Sequence, residues 1–242
     1  TVHRVLGELI RARAETDDGS VLAMLLRARD EEGGGGLSEP ELRDEVLTIF
    51  IGGYETSSNA LAFSLALLAA HPAAADRWRA EVDAALGDRA PGIADLAAAR
   101  AARAALDEAL RLYPPSWMIT REALGDDVVA GYPVRRGAQL LISSYGVHHA
   151  PELWPEPDRY RPERFLPDAP EAKDRPRFAY LPFGGGPRIC LGDQYALTEM
   201  HLILARLGQR LSFSLAPGCR IEPQAHVGLR PRHPLRLLAR WR

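Results

Sequence analysis

The feature that most constrains the fold is a long helical pattern between Ser38 and Ala70. Ser38 is a typical N-cap and Glu41 occupies the capping-box position, while His71 and Pro72 end the pattern. At about 1.5 Å per residue, such a helix is on the order of 48 Å long. Its middle, "VLTIFIGG" and "ALAFSLALLAA", is apolar nearly all round, which is typical of a helix buried in a large protein.

The rest of the sequence predicts a mainly α fold with small β-sheets, organised as one domain. Helical periodicity predicts further helices over 2–14, 21–31, 73–86 and 101–113, and one that begins after Gly192. Runs such as "DDVVAGYPV" within 117–147, and "LSFSL" and "HPLRLLARW" near the end, predict short strands. Residues 150–190 are rich in proline and glycine and are expected to contain little regular structure.

Composition excludes several classes of protein. The 242 residues carry a formal net charge of −2, so no basic excess indicates a nucleic-acid partner. No apolar run reaches the length of a membrane span, and the first residues lack the apolar core of a signal peptide. Two cysteines, Cys190 and Cys219, do not form a secreted disulfide scaffold, so a cytoplasmic location is expected. Because Thr1 lies within a helical pattern, we expect the chain to begin inside a larger protein.

The loop "FGGGPRICLG", residues 183–192, is shaped for a ligand to approach its backbone. Gly184–Gly186 permit close approach, and Cys190 can supply a thiolate that the positive end of the following helix stabilises. Arg188 adds positive charge. Together these features suit an iron centre. The alternatives are a nucleophilic cysteine, for which the loop holds no base, and a buried structural cysteine.

The pattern F-x-x-G-x-R-x-C-x-G resembles the haem-binding loop of the cytochrome P-450 superfamily; its members here are Phe183, Gly186, Arg188, Cys190 and Gly192. The resemblance implies the C-terminal part of the cytochrome P-450 fold over residues 1–242, with the N-terminal half of that domain missing. It further implies haem b (iron protoporphyrin IX) as cofactor, with Cys190 as the axial thiolate ligand of the iron and the loop glycines, including Gly184, against the haem.

A second motif, "GGYET", lies in the middle of the long helix. Adjacent glycines there cost about 2 kcal/mol relative to alanine, and the Thr56 hydroxyl can bond to the Gly52 carbonyl one turn back. Close helix packing at the glycines, with Glu55 on a solvated face, is the alternative explanation. The stretch is similar to the family's [AG]-G-x-[DE]-T signature, although Gly52 stands where alanine is commoner. That similarity implies that Gly53 lies at the haem and that Glu55 and Thr56 are catalytic residues that deliver protons to bound oxygen.

A third motif pairs Glu108 with Arg111, three residues apart on one helix face. An exposed pair of this kind contributes less than about 1 kcal/mol. The resemblance instead implies a buried structural triad with Arg164 of "PERF", which holds the irregular segment that precedes Cys190.

The stretch "LYPPSWMITREAL", residues 112–124, follows the helix that carries this pair. The resemblance implies that it lines the substrate pocket and that Arg121 and Arg188 pair with the haem propionates. An exposed strand charge is the alternative for Arg121. His148 and His149 are predicted to be structural rather than a joint metal site, because neighbours on a strand point to opposite faces.

The family resemblance implies a haem-dependent monooxygenase. It would insert one oxygen atom from O2 into a small apolar organic substrate, with electrons from a separate donor, a ferredoxin with its reductase or a flavoprotein. A peroxide-driven haem-thiolate enzyme is one alternative, although it would not need the acid–alcohol pair of Glu55 and Thr56. A non-catalytic haem-binding protein or a truncated, inactive fragment is the other.

Overall fold

The computed structural model describes residues 2–13, 18–28 and 35–242. The chain forms two compact units, Thr1–Glu55 and Thr56–Arg242. The first unit contains α1 (Val2–Arg13), α2 (Val21–Arg27) and the beginning of α3 (Glu39–Ala70), so the boundary between the units falls inside α3. The predicted ends of the first two helices, Ala14 and residues 29–31, lie outside the described residues.

The predicted start of α3 is confirmed by its hydrogen bonds. The backbone N–H of Ser38 donates to Oε2 of Glu41 at 2.8 Å, and the Glu41 N–H donates back to the Ser38 hydroxyl at 3.5 Å. This reciprocal pair is the capping box, which satisfies backbone donors that a helix leaves unpaired at its beginning.

The expectation that the apolar middle of α3 is buried holds for only part of the helix. Phe63 is fully buried and Leu68 is 1% exposed, whereas Phe50 and Tyr54 are 65% and 70% exposed. The prediction was burial within a large protein, which the exposure of the earlier stretch in this chain does not test, because hydropathy records what a side chain prefers. It does not record whether another element of the chain reaches that side chain.

The second unit combines helices with four two-stranded antiparallel sheets, as the sequence predicts. The pairs are β1 with β4, β2 with β3, β5 with β8, and β6 with β7. After α3, its described elements are α4 (Pro72–Leu86), α5 (Arg100–Leu112), β1 (Ile119–Glu122), β2 (Asp127–Val129), β3 (Tyr132–Val134), β4 (Gln139–Ile142), α6 (Ser144–His148), α7 (Pro170–Lys173), α8 (Asp193–Arg210), β5 (Leu211–Leu215), β6 (Pro223–Ala225), β7 (Leu229–Pro231) and β8 (Leu237–Trp241).

Over the described part of the chain, no helix taken singly has both the length and the hydropathy of a membrane span. Helices α3 and α4 reach them only when counted together, and they are bent by 110° at the break between them.

The assignment of the two adjacent histidines to a strand was wrong. His148 is the last residue of α6, a short helix that begins where the Ser143 hydroxyl accepts a hydrogen bond from the Gly146 N–H at 3.0 Å. The two imidazoles have different partners, since Nδ1 of His148 bonds to the Arg111 carbonyl and Nδ1 of His149 to the Tyr145 carbonyl. The pair is therefore not directed at one shared ligand.

The core of the second unit is formed by α4, α5, α8 and the later part of α3. Trp78 is 1% exposed, and Leu106 and Leu204 are fully buried. Gly208 on α8 packs directly against Trp78, because a Cβ atom at position 208 would lie 2.7 Å from the indole ring. Only glycine permits this approach, since real Cβ contacts are longer.

We expect Gly208→Ala to lower the free energy of unfolding by about 1–3 kcal/mol, because the rigid indole must shift to admit the methyl group. Gly125→Ala is the matched control, since no atom lies within 4 Å of its Cβ position. Denaturant titration followed by circular dichroism measures both variants. Equal stability of the two variants would contradict the close packing of Gly208 against Trp78.

The triad of Glu108, Arg111 and Arg164 is buried, as the resemblance implies, and is not a surface pair. Nε and Nη2 of Arg111 donate to the two oxygens of Glu108 at 2.7 and 2.9 Å, and Nε of Arg164 donates at 3.3 Å. All three side chains have 0% exposure. Oε1 of Glu108 also accepts from the backbone N–H of Arg161 at 2.9 Å.

Further donors of the triad bind the end of α6 and the irregular segment that follows it, while Nη1 of Arg164 has no hydrogen-bond partner among the described residues. Nη1 of Arg111 donates to the carbonyls of His148 and Pro157, each at 2.7 Å. Nη2 of Arg164 donates to the Glu156 carbonyl at 2.9 Å. The segment between α6 and "PERF" is thus fastened to α5 by side chains rather than by a sheet or helix of its own.

Removing the carboxylate of the triad should lower the free energy of unfolding. We expect Glu108→Gln to destabilise the protein by about 3–5 kcal/mol, because it leaves two buried guanidinium groups without their anion. Asp126→Asn, which breaks the exposed 3.2 Å pair with Arg135, should change stability by less than about 1 kcal/mol. The check is equilibrium unfolding in urea, and a small effect at Glu108 would show that the triad does not hold the fold.

Candidate functional site

The chain enters the cysteine loop through three consecutive residues that are each bound from outside. The Ala179 carbonyl accepts from Nε1 of Trp154 at 3.1 Å, and the Leu181 N–H donates to Nε2 of His148 at 2.9 Å. Between them, the Tyr180 hydroxyl donates to Oδ1 of Asp107 on α5 at 3.1 Å. Burial raises the pKa of Tyr180 well above its ordinary value, so the phenol stays protonated and remains a donor.

Beyond Leu181 the loop is held mainly by its own backbone. The Gly184 N–H donates to the Leu181 carbonyl at 3.1 Å, and the Cys190 N–H donates to the Phe183 carbonyl at 3.0 Å. Gly184 and Gly186 have φ angles of +77° and +74°. A side chain is strained in that region, which explains why these two positions are glycine.

The loop presents its cysteine to the outside. Cys190 is a free, exposed thiol, and its neighbours Ile189 and Leu191 are 52% and 93% exposed. Gly192 immediately precedes α8, and its carbonyl accepts the first helical hydrogen bond from the Ala196 N–H at 2.8 Å. The partial positive charge of the α8 N-terminus therefore lies at the end of the loop that carries Cys190.

Strand β1 lies beside the loop. A Cβ atom on Gly184 would be 3.5 Å from Cδ1 of Ile119, and Arg121 lies on the same face of β1 as Ile119. Nη1 of Arg121 donates to the Thr120 carbonyl at 2.8 Å, and Arg188 is exposed within the loop. The structure thus brings the strand that carries the first predicted arginine next to the loop that carries the second.

The residues of the "GGYET" motif on α3 lie on the surface or partly exposed. Gly53 and Glu55 are exposed, and Thr56 is partly exposed. No described atom outside the helix backbone lies within 4 Å of the Cβ positions of Gly52 and Gly53, so close packing of a described helix does not account for these glycines. The exposure of Glu55 is compatible with both hypotheses for that residue.

Two side chains at the loop were not predicted from the sequence. Phe178 lies against Gly185, where a Cβ atom would be 3.1 Å from Cε1 of the ring. His148 was predicted to be structural, but its bond to the entrance of the loop was not foreseen. Neither belongs to a local motif, because each contact depends on how distant segments fold together.

The residues of the loop fit a haem group. Gly184 and Gly186 have left-handed φ angles and carry no Cβ atom, and no described atom beyond the chain neighbours lies within 4 Å of the Cβ position of Gly186. The backbone there is therefore open to a flat ligand. The loop offers one exposed thiol, which is a suitable soft ligand for iron. The two arginines, one in the loop and one on β1, suit the two carboxylate groups that a haem carries. Among residues 2–13, 18–28 and 35–242, no group of three or more His, Cys, Asp or Glu side chains could hold a metal ion.

Comparison with known proteins identifies the family to which the chain is similar. The cytochrome P450 family matches residues 4–238. The chain is 42% identical to cyclooctat-9-en-7-ol 5-monooxygenase of Streptomyces melanosporofaciens over 219 residues, which are 90% of this chain and 47% of the relative. It is 39% identical to cyclooctatin synthase of the same organism over 228 residues, 94% of this chain and 49% of the relative. The chain thus spans about half the length of the curated relatives that it matches.

The solved structures agree in fold. The crystal structure of the cytochrome P450DA haem domain superposes with a TM-score of 0.90 at 33% identity, and the match covers 99% of this chain and 54% of that one. The order of the helices and sheets therefore occurs in a known architecture, and the chain belongs to the cytochrome P450 family.

Proposed function

We propose that the protein is a haem-thiolate monooxygenase that inserts one oxygen atom from O2 into a small apolar organic substrate. The observation that carries the proposal is the exposed thiol of Cys190 on a glycine loop that leads directly into α8. Haem b, when bound, would supply the activation of O2 at its iron. The named monooxygenase among the relatives supports this reaction class.

In this proposal Cys190 would hold the haem iron through its thiolate sulfur. The α8 N-terminus places the partial positive charge of its unpaired N–H groups at the end of the loop, where a negatively charged ligand atom is favourable. The bond from the Cys190 N–H to the Phe183 carbonyl fixes the backbone from which the ligand projects. Gly184, Gly186 and Gly192 would let the backbone of the loop approach a bound haem, and Gly53 would do the same for the backbone of α3.

Arg121 and Arg188 are assigned to the carboxylates of the haem. Arginine suits this task because its planar fork binds a carboxylate through two N–H groups. The position of β1 beside Gly184 supports the assignment for Arg121, and the location of Arg188 two residues before Cys190 supports it for the second arginine. Their role is to orient the cofactor.

Thr56 and Glu55 are assigned to proton delivery during oxygen activation. A hydroxyl can accept a proton from one neighbour and donate another to the next, and an adjacent carboxyl group can replenish it from solvent. The exposure of Glu55 supports such a link to solvent. The two open glycines one turn earlier leave room for a small molecule beside the helix.

The partners of the proposed enzyme are a small apolar substrate, O2 and a separate electron donor. Met118 and Ile119, with Trp117, supply an apolar surface for the substrate, and Met118 is 38% exposed. One similar protein is named for a reaction on cyclooctat-9-en-7-ol, which supports a small organic substrate of this kind. Electrons come from a separate donor, a ferredoxin with its reductase or a flavoprotein. A cytoplasmic location agrees with the two free cysteines, which persist in reducing compartments.

The ligand assignment predicts a specific spectrum. We expect Cys190→Ala to abolish the thiolate-type absorption of the reduced carbon-monoxide complex of the haem-loaded protein. Cys219→Ala is the control, because its sulfur accepts a hydrogen bond from the Arg236 N–H in a different part of the fold. A thiolate-type spectrum that persists in the Cys190 variant would refute the ligand assignment.

The proton-delivery assignment predicts uncoupling. We expect Thr56→Ala to bind haem and substrate as the parent does, but to release most of the reduced oxygen as hydrogen peroxide. The measurement is product formed and peroxide released per electron donor consumed.

Thr48→Ala is the matched control for this experiment. The Thr48 hydroxyl lies on the same helix and donates to the Asp44 carbonyl at 2.8 Å, so its loss tests the effect of removing a threonine hydroxyl from α3. If both variants stay as well coupled as the parent, Thr56 is only a helix residue.

A further inference from the structure

We propose that His148 is a positioning residue for the thiolate loop, and that it acts through the backbone N–H of Leu181. This inference rests on the proposed function for its link to haem ligation, while the hydrogen bonds that carry it are a property of the chain alone. All of the residues that make these hydrogen bonds belong to the second unit.

The ring of His148 connects two backbones. Nδ1 lies 3.1 Å from the Arg111 carbonyl, which is an acceptor only, so Nδ1 carries the proton and donates. Nε2 is then an acceptor, and it receives the Leu181 N–H at 2.9 Å. One neutral tautomer satisfies both bonds, and the ring joins the end of α5 to the entrance of the loop.

The same residue is fixed from the other side. Nη1 of Arg111 donates to the backbone carbonyl of His148 at 2.7 Å, so Arg111 and His148 bind each other in both directions. His148 is fully buried, and its ring stacks on Tyr180 with the centroids 5.5 Å apart. Its position is therefore set by the triad rather than by its own short helix.

The environment keeps the ring in the form that this role needs. Burial lowers the pKa of His148 to about 3, and the positive charge of Arg111 acts in the same direction. The imidazole is therefore neutral at physiological pH, and Nε2 keeps the lone pair that accepts from Leu181.

This bond bears directly on the loop because Leu181 also accepts the first hydrogen bond of the turn. Residues 186–191 are exposed, and the Leu181 carbonyl is the acceptor for the Gly184 N–H that begins the turn. Leu181 is thus bound by His148 through its N–H and binds the loop through its carbonyl, in the two successive peptide groups that flank its Cα. Loss of the His148 acceptor should let the first of these peptide groups rotate and displace Cys190 relative to α5.

Three substitutions separate the two bonds. His148→Asn places an amide nitrogen near the position of Nδ1, which keeps the donor to Arg111 and removes the acceptor for Leu181. His148→Gln places an amide oxygen near Nε2, which keeps the acceptor and removes the donor. His148→Phe keeps a ring against Tyr180 and removes both bonds.

Two readouts test the proposal. We expect hydrogen exchange of the Leu181 amide to be about tenfold faster in His148→Asn and His148→Phe than in His148→Gln, as the loss of one hydrogen bond implies. In the haem-loaded protein, the thiolate-type fraction of the reduced carbon-monoxide complex should fall in the same two variants and remain in His148→Gln. Unfolding in urea gives the global stability of each variant for comparison.

Each outcome decides the matter. Faster exchange and lost thiolate ligation in Asn and Phe but not in Gln support the proposal. Equal behaviour of Asn and Gln, whether both are normal or both decline with global stability, overturns it and leaves His148 as a packing residue. If the parent gives no thiolate-type spectrum, the proposed function fails, and amide exchange at Leu181 alone decides whether His148 positions the loop.

Discussion

The rest of the second unit depends on the buried ion pairs of Glu108 with Arg111 and Arg164. The carboxylate is a single buried anion that faces two buried guanidinium groups, and it cannot accept from all of their N–H donors. Several of the spare donors bind backbone carbonyls, those of His148, Glu156 and Pro157 among them. These carbonyls lie at the end of α6 and in the irregular segment after it, so the triad fixes the course of that segment.

Local signals in the sequence predict most of the helices. The capping box at Ser38, the proline at position 72 and the glycine before α8 each act within a few residues, and the structure places α3, α4 and α8 accordingly. The buried triad could not be derived in this way, since Arg164 lies 56 residues from Glu108. Its prediction came from the family resemblance, which carries information about distant contacts.

What could not be predicted depends on where distant segments meet. The three bonds that hold residues 179–181 span 25, 73 and 33 positions, and no periodicity records them. Helix α6 was mistaken for a strand because its five residues are too few for a helical period to be visible. The exposure of Phe50 and Tyr54 on α3 cannot be assigned residue by residue from the sequence, because an apolar pattern does not identify the surface that covers it.

The support of the cysteine loop also has a direction along the chain. Asp107, His148 and Trp154, whose side chains hold residues 179–181, all precede the segment that they bind. A ribosome makes the chain from its N-terminus, so these partners leave the exit tunnel before Leu181 does. The order of synthesis thus matches the order of dependence, and Cys190 emerges only after the residues that anchor the entrance to its loop have become available.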